Sequence, residues 1–189
     1  MNNIERELKI ELTKEEYGLL LTASTARPQL QTNFYFYCDG MPRETVVRVR
    51  LKQGGGYLLC FKRLLSAHNG INVCDEREQS IDVKTAESFI ADGLSADELK
   101  TRLDVDGGLS YRCIGKLDTY RAKFTEKQWT LELDRNEYLG VTDYELECEC
   151  ESDVALENLK EYLLITYGIA FKPSAAKSGR FFAKYFQKN

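Results

Sequence analysis

The nine-residue run IERELKIEL near the N-terminus alternates charged and apolar side chains at a two-residue period. Read as a β-strand, it puts Glu5, Glu7, Lys9 and Glu11 on one face and aliphatic side chains on the other, with only Arg6 breaking the pattern. Neighbours on the charged face are roughly 7 Å apart, so adjacent carboxylates can share a divalent cation or a water shell. The alternative is a half-buried strand whose polar face meets water.

Length and charge bound the class of protein. The 189 residues predict one domain, residues 1–189, large enough to bury a substantial core. A net charge of -4 gives no overall attraction to nucleic acid or to an anionic membrane, so any anion must be bound by locally concentrated bases. No apolar run is long enough to span a bilayer, and the N-terminus lacks a targeting pattern. We therefore expect a soluble cytoplasmic protein that partners neither nucleic acid nor membrane.

Cysteine and histidine usage argues against two kinds of site. The six cysteines include no CxxC pair, and the single histidine, His68, falls in the loop-like segment 66–70. Zinc binding is disfavoured by that pattern, and a Ser-His-Asp or Cys-His catalytic arrangement has too few histidines. Reduced, mostly buried thiols are the interpretation that fits an intracellular protein.

The rest of the chain reads mostly as strands. The strand pattern covers residues 4–12, 31–38, 45–52, 56–63, 73–78, 109–117, 118–125, 128–135 and 141–151. Helices are predicted after the capping box at Thr13, over 86–92 with Thr85 as cap, over 96–103 with Ser95 as cap, from Ser152 to about Gly168, and in the basic tail from Ser174. No linker or internal repeat divides the chain.

Charges of one sign cluster on individual strand faces. Acidic rows are Glu5 and Glu7, Glu76 and Glu78, and Glu145, Glu147 and Glu149; basic rows are Arg48, Arg50 and Lys52, then Lys62, then Arg121 and Lys123. Two like charges about 4 Å apart repel by roughly 4 kcal/mol at an effective dielectric near 20. Such rows need partners that offset the repulsion.

A closed barrel would supply those partners. If about eight antiparallel strands closed with the charged rows inward, the interior would hold one small ligand between a basic and an acidic wall. Arginine and lysine bind phosphate oxygens, and carboxylates hold a divalent metal. The alternative that periodicity leaves open is a β-sandwich with a wet, charged face.

A run of motifs in order along the chain resembles one family. The motifs are Glu5-Arg6-Glu7-Leu8-Lys9, Asn33 with Tyr35-Phe36, Arg48-Val49-Arg50, Lys62, Glu76-Arg77-Glu78, Thr119-Tyr120-Arg121, Leu133-Asp134 and Tyr144-Glu145-Leu146-Glu147. The first is similar to the ExExK signature of the CYTH superfamily, or triphosphate tunnel metalloenzymes, which includes class IV adenylate cyclases and thiamine triphosphatases. The resemblance covers nearly the whole chain and is nearest to the small bacterial YjbK-type members.

That resemblance implies an α+β fold, with a closed eight-stranded antiparallel β-barrel, peripheral helices, and a tunnel that holds a triphosphate with Mg²⁺ or Mn²⁺. The residues implied as metal ligands are Glu5, Glu7, Asp134, Glu145 and Glu147. Those implied as phosphate-binding bases are Lys9, Arg48, Arg50, Lys62, Arg121, Lys123, Lys177 and Arg180. The catalytic set is Glu5, Glu7, Arg50 and Glu147, and Glu132 is a candidate to orient the metal shell.

Several roles stay open at this stage. Lys177 and Arg180 belong either to a helix that plugs one mouth of the tunnel or to a surface helix with a solvated basic face. Tyr35 is expected to be a packed strand aromatic, although in some relatives a tyrosine assists the reaction. Asp39 is expected in a turn, since the chain departs here from the family's Tyr-Phe-Asp run. Glu76 and Glu78 match an acidic pair whose role varies.

Three functions are compatible with the sequence. The main hypothesis is a metal-dependent phosphohydrolase that acts on inorganic triphosphate or an organic triphosphate. The second is an adenylate cyclase that converts ATP to cyclic AMP, and the third is a non-catalytic module that binds polyphosphate or a nucleotide. The sequence leaves open the substrate, the metal and whether the chain forms a homodimer.

Overall fold

The computed structural model describes residues 3–68, 71–106, 110–149 and 152–188. The strands in these ranges are β1 (Asn3–Leu12), β2 (Gln29–Tyr37), β3 (Thr45–Leu51), β4 (Tyr57–His68), β5 (Ile71–Ile81), β6 (Arg112–Glu126), β7 (Trp129–Tyr138) and β8 (Val141–Glu149). The helices are α1 (Lys14–Ser24), α2 (Val83–Asp92), α3 (Ala96–Leu103), α4 (Asp153–Tyr167) and α5 (Lys177–Lys188).

The eight strands form one closed antiparallel barrel in the order β1-β5-β4-β3-β2-β6-β7-β8. β1 closes the ring because it pairs with β5 through its first half and with β8 through its second, where Lys9 lies opposite Glu147. The predicted barrel is therefore confirmed, and the sandwich alternative is wrong. Closure also leaves no strand edge of the ring unpaired.

Apolar side chains of the strands point outward, where helices cover them. α1 and α4 pack over β1, β7 and β8 in a cluster that includes Leu8, Ile10, Leu20, Leu131, Leu133, Leu156 and Leu159. α2 and α3 cover β2, β3 and β4 through Phe36, Val47, Val49, Leu59, Phe89 and Leu99. Trp129 belongs to the first cluster and is 4% exposed, so it packs on the outside of the barrel. The alternate faces of the strands are thereby turned into the barrel.

One long strand, β6, replaces the two strands predicted over 109–117 and 118–125. Residues 112–121 of β6 pair with the whole of β2, and the register shifts where Tyr35 lies opposite Gly115 and Phe36 opposite Cys113. This two-against-one pairing is a β-bulge. Gly115 has φ +146, and a Cβ there would lie 3.1 Å from the Phe181 ring. The sequence pattern predicted a break between two strands. The structure instead has one strand with a bend inside it.

Two further boundaries differ from the sequence-based expectation. His68 lies at the end of β4, not in a loop, because β4 and β5 pair along their whole length down to His68 and Ile71. Asp82 caps α2 in place of Thr85, whose backbone N–H donates to the Asp82 carboxylate over 2.9 Å. The predicted caps Thr13, Ser95 and Ser152 and the C-terminal Gly168 are confirmed.

α5 closes one end of the barrel. Phe181 is fully buried and packs with Leu117, Tyr138 and Tyr35, whose ring centroid lies 4.8 Å away. Tyr35 is also fully buried, so it is a packed strand aromatic as expected. Asp39 lies in the turn after β2. The apolar face of α5 therefore fixes the basic residues of the same helix against the barrel.

The described cysteines fit the expectation of reduced thiols. Cys38, Cys60, Cys74 and Cys113 are free thiols, and Cys150 lies outside the described residues. Among the described residues, no helix is both long and apolar enough to cross a membrane.

Phe181→Ala should release α5 from the barrel end. The substitution removes a fully buried ring, and we expect it to lower the free energy of unfolding by about 3–5 kcal/mol and to make the C-terminal segment sensitive to limited proteolysis. Phe186→Ala is the matched control, since Phe186 is on the same helix and 50% exposed. Equal proteolytic sensitivity in the two variants would contradict the closing role of Phe181.

Candidate functional site

The interior of the barrel is divided into an acidic and a basic half. Inward carboxylates lie on β7, β8, β1 and β5, which are consecutive in the ring, and inward bases lie on β4, β3 and β6, which are consecutive apart from the neutral strand β2; Lys9 on β1 is a base within the acidic half. The two halves meet where β4 pairs with β5 and where β6 pairs with β7. The two walls expected from the sequence therefore exist, and they face each other across one interior.

A trio of buried carboxylates forms the centre of the acidic half. One oxygen each of Asp134, Glu145 and Glu147 lies within 4.8 Å of the others, a grouping that could hold a metal ion. The Lys177 ammonium lies among them, 2.8 Å from Asp134 and 2.8 Å from Glu147, and it also contacts Glu145. An internal cation and a candidate metal site thus occupy the same space.

Arg180, about one helical turn beyond Lys177, fixes α5 to the strand β8. Its guanidinium donates to both carboxylate oxygens of Asp143 at 2.9 and 3.0 Å and to Glu145 at 3.0 Å. Ser174, just before the helix, donates to the same Glu145 carboxylate at 3.0 Å. Lys177 and Arg180 therefore belong to a plug that enters the barrel, and the alternative of a solvated surface helix is wrong for both residues.

Lysines bridge the carboxylates of β1 to those of neighbouring strands. The Lys62 ammonium lies 3.1 Å from Glu5, 3.1 Å from Glu7 and 3.0 Å from Glu76. Lys9 lies 2.9 Å from Glu7 and also contacts Glu147. Each of these carboxylates thus has an ammonium partner inside the barrel.

Three arginines present their guanidinium groups to the interior. Arg121 donates from Nε and a terminal nitrogen to the two oxygens of Asp134, at 2.8 and 2.6 Å, in the bidentate geometry that arginine also uses for phosphate. Arg48 donates to Glu76 at 2.9 Å, and Arg50 donates to Glu78 at 3.1 Å and to Asn33 at 3.2 Å. Glu76 and Glu78, whose role the sequence left open, therefore hold the bases of β3.

The carboxylates of the interior divide into two electrostatic types. Burial alone would raise the pKa of Glu145, but Lys177 and Arg180 outweigh it and lower the value to about 2. Glu147 is likewise held well below its usual pKa, by Lys177, Lys9 and Arg121 against the effect of burial. Glu5 belongs to the other type, because burial and a hydrogen bond with Glu76 raise its pKa to about 7 despite Lys62. Burial and the neighbouring Glu132 also raise the pKa of Glu149 at the cavity wall. Glu5 therefore exchanges a proton near neutral pH.

The charged residues enclose a cavity of about 380 Å³. Its lining is polar or charged apart from Ala176: Glu5, Glu7, Lys9, Gln31, Asn33, Arg48, Arg50, Lys52, Lys62, Glu76, Glu78, Arg121, Lys123, Glu132, Glu147, Glu149, Lys177 and Ser178. Deep in the barrel the Tyr35 hydroxyl and the Arg48 Nε are buried without a hydrogen-bond partner among the described residues. Both are donors, so the interior retains capacity for an acceptor.

The structure brings the predicted residues together around this interior, with two differences of position. Lys123 lies at the rim, where its side chain is 63% exposed and pairs with Glu132 at 2.9 Å. Arg180 lies behind Lys177 and contacts Asp143 and Glu145, not the cavity lining. The other predicted bases and carboxylates line the cavity or, for Asp134 and Glu145, form the carboxylate trio behind Lys177.

Sequence reasoning missed three polar residues that support the charged ones. Asp143 and Ser174 hold Arg180, and Asn136 donates to Glu145 at 3.2 Å. Asn33, which the sequence analysis quoted in a motif without a role, accepts from Arg50. Asp143 was detectable, because it extends the two-residue row of β8 by one step beyond Glu145. Ser174 carries no such signal, since its contact depends on how the chain returns to the barrel after α4.

Comparisons with known proteins agree with this architecture. The model of the CYTH domain family matches residues 3–182. A proposed adenylate cyclase from Bacillus halodurans superposes with a TM-score of 0.76 at 26% identity, covering 96% of this chain and 98% of that one. A proposed adenylyl cyclase from Hippeastrum, described as having a dominant triphosphatase activity, gives 0.77 at 24% identity and 95% of each chain.

A third structure, a conserved hypothetical protein from Pyrococcus furiosus, gives a TM-score of 0.60 at 22% identity, covering 94% of this chain and 99% of that one. No curated protein sequence matches the chain. The structures from Hippeastrum and Pyrococcus furiosus are both below 25% identity and share the fold alone with this chain.

Lys177→Met should destabilise the protein in a pH-dependent way. It leaves three buried carboxylates without their ammonium, and breaking a buried ion pair costs about 3–5 kcal/mol. Because Lys177 lowers the pKa of Glu145 and Glu147, its stabilising effect is present above their unfolded pKa and is lost as pH falls through their folded values. Urea unfolding should therefore show a large loss at pH 8, a loss that shrinks only below the unfolded pKa of about 4.5, and the smallest loss near pH 2.

Lys184→Met is the control for that experiment, since Lys184 lies on the same helix and makes no ion pair among the described residues. A loss that does not change with pH, or one equal to the control, would show that Lys177 does not compensate the carboxylate trio.

Proposed function

Because this chain belongs to the CYTH family, we propose that it is a divalent-metal-dependent phosphohydrolase that removes the terminal phosphate of an inorganic or organic triphosphate bound inside the barrel. The observation that carries the proposal is the division of one enclosed interior into a basic half and an acidic half. A polyphosphate and a divalent cation together satisfy both halves, and neither does so alone.

The bases would bind the phosphate groups. Arg48, Arg50, Lys62 and Arg121 surround the cavity, and each is now paired with a carboxylate. A phosphate that enters would exchange these partners for its own oxygens, and the unpartnered Arg48 Nε is already free to donate. Charge-assisted donors fixed by the barrel would also offset the charge that develops on the leaving group.

The donor set of the acidic half fits Mg²⁺ or Mn²⁺. Carboxylate oxygens are the ligands these ions prefer, and those of Asp134, Glu145 and Glu147 are close enough to share one ion. Together with Glu7 and Glu5 on β1, the strand that pairs with β8, these residues would hold the metal. A bound metal would neutralise phosphate charge and lower the pKa of a water. Lys177 would leave the trio as the ion enters and turn its ammonium to a phosphate oxygen.

The residues of the chain would also orient the attacking water. Glu5 and Glu147 line the same cavity as Arg50 and Lys62, so a water held by the two carboxylates would lie beside a phosphate group whose oxygens accept from the two bases. Holding water and phosphate in one cavity brings the reacting groups together in the right orientation, and this requires no histidine.

An adenylate cyclase is the second candidate, because the Bacillus halodurans neighbour is described as a proposed one. The lining disfavours it: the cavity residues are charged or polar except Ala176 and include no aromatic ring to stack on adenine. The dominant triphosphatase activity ascribed to the Hippeastrum neighbour supports hydrolysis. A non-catalytic binding module would bind the same ligands without turnover.

The test is a substrate panel of tripolyphosphate, ATP and thiamine triphosphate, with Mg²⁺ and with Mn²⁺, monitored by phosphate release and by cyclic AMP formation. We expect phosphate release, and a loss of at least about 100-fold in kcat/KM in Arg50→Ala and in Glu5→Gln, since each removes an interaction with the reacting charges. Arg43→Ala and Glu15→Gln, both exposed, are the controls and should retain activity.

The variants must keep the far-ultraviolet circular dichroism and the melting behaviour of the parent for the loss to be attributed to the site. Full activity in both would remove Glu5 and Arg50 from the mechanism. Cyclic AMP as the main product would establish the cyclase, and tight binding without turnover would establish the binding module.

Metal affinity should rise with pH because Glu5 has a pKa of about 7. Below that pH its proton competes with the metal, so the affinity for Mn²⁺ without substrate should increase about tenfold from pH 6 to pH 8. Calorimetric titration measures this directly. Glu5→Gln should largely abolish the pH dependence, and an unchanged slope in that variant would mean that another group carries the proton.

A further inference from the structure

We propose that the open mouth of the barrel carries a second anion site, which takes the phosphate groups beyond the third of a longer linear inorganic polyphosphate. We define this mouth site by Arg27 and Lys52, with Lys123 at its border to the tunnel. The inference rests on the proposed function and extends it from a triphosphate to a longer chain.

The mouth site is continuous with the tunnel. A pocket of about 280 Å³ is lined by Arg27, Gln29, Leu30, Gln31, Lys52, Gln53, Arg121 and Lys123. Four of these residues, Gln31, Lys52, Arg121 and Lys123, also line the tunnel cavity. An anion held in the tunnel beside Arg121 can therefore extend into the mouth site without crossing a wall.

The strand β6 shows that this mouth is opposite the plug. Leu117 packs in the apolar cluster with Phe181 of α5. Thr119, Arg121 and Lys123 follow on the same face at two-residue steps, so Lys123 lies roughly 20 Å along the strand from the plugged end. One end of the barrel is sealed by α5, and the other opens between bases.

Uncompensated positive charge distinguishes the mouth site from the tunnel. Deeper bases such as Arg48 and Lys62 are neutralised by carboxylates at 2.9 to 3.1 Å. Of the described residues, four bases and no carboxylate line the mouth site. Arg121 and Lys123 are paired with carboxylates of the tunnel, whereas Arg27 and Lys52 make no ion pair in the described part of the chain. An anion held by Arg27 and Lys52 therefore displaces no ion pair, and exposed charges of this kind lose their effect as salt rises.

The chemistry of the lining selects phosphate over a nucleoside. Apart from Leu30 every lining residue is a base or a glutamine, and glutamine amides donate hydrogen bonds to phosphate oxygens. A purine in this position would need an aromatic or apolar surface to stack on, and the described lining offers only one leucine. A chain of phosphates repeats one charge at short intervals, which suits a row of bases that leads out of the tunnel.

The test compares tripolyphosphate with tetrapolyphosphate, and with ATP as the nucleoside arm, in Arg27→Gln/Lys52→Gln. The double variant removes two charges at the mouth, one of which, Lys52, also borders the tunnel cavity. We expect KM for tetrapolyphosphate to rise about tenfold at low salt, from two exposed charge contacts, and KM for tripolyphosphate and ATP to rise by no more than about threefold, because only one of the two contacts borders the tunnel. The effect should vanish in 0.5 M NaCl.

Arg43→Gln/Lys84→Gln is the control, since it removes the same charge at two exposed residues outside the pocket. A rise in KM equal for both polyphosphates, a rise equal in the control, or no rise at all overturns the mouth site. A rise confined to ATP would assign the mouth to a nucleoside and also overturns it.

The mouth site can be tested even if the protein has no hydrolytic activity. If the parent protein hydrolyses none of the substrates, calorimetry with the same two polyphosphates and Mg²⁺ measures binding alone. Tighter binding of tetrapolyphosphate than of tripolyphosphate, lost in Arg27→Gln/Lys52→Gln but kept in the control, supports the mouth site while the proposed function fails. Equal affinity for the two chain lengths in the parent overturns it.

Discussion

Mutual neutralisation of charges inside a closed barrel is the constraint on which the rest of this structure depends. Removing an ion from water costs several kcal/mol, and only close, well-oriented partners offset that cost. The ring order meets this condition, because acidic strands β7, β8, β1 and β5 face basic strands β4, β3 and β6. The apolar faces must then point outward, and α1, α2, α3 and α4 exist to cover them.

This arrangement makes ligand binding an exchange of ionic partners. Without ligand, Lys62 is held by Glu5, Glu7 and Glu76, and Arg121 by Asp134 and Glu147. The same contacts fix the side chains before any ligand arrives, so little ordering remains to be done on binding. A phosphate alone would leave the carboxylates without ionic partners, and a metal alone would leave the bases without them. The pairing therefore favours a ligand that brings both charges together.

The sequence predicted the inward rows well because a period of two is a local property of a strand. Glu5, Glu7, Arg48 and Arg50 could be assigned to one face before any fold was known, and the resemblance to a family added their closure around one interior. The features that could not be predicted from the sequence depend on contacts between residues far apart in the chain. The bulge at Gly115 depends on the approach of Phe181, and the extent of β4 to His68 depends on its pairing with β5.

The candidate site shows the same division. Asp143 continues a visible row on β8, whereas Ser174 reaches Glu145 only because the chain returns after α4 to the barrel end. The basic face of the last helix was visible in Lys177 and Arg180, but its destination was not. A row of basic residues on a helix has the same sequence pattern whether it faces water or buried carboxylates. Here the packing of Phe181 turns the row toward the carboxylates.

The two ends of the barrel differ, and that difference gives the interior a direction. α5 seals one end with Phe181 and places the Lys177 ammonium beside Asp134, Glu145 and Glu147. The other end is open and basic at Lys123 and Lys52. A linear polyanion can therefore enter from one side only, with its terminal phosphate leading toward the carboxylates. Directional entry, and not recognition of the remainder of the ligand, is sufficient to present a terminal phosphate to the acidic half.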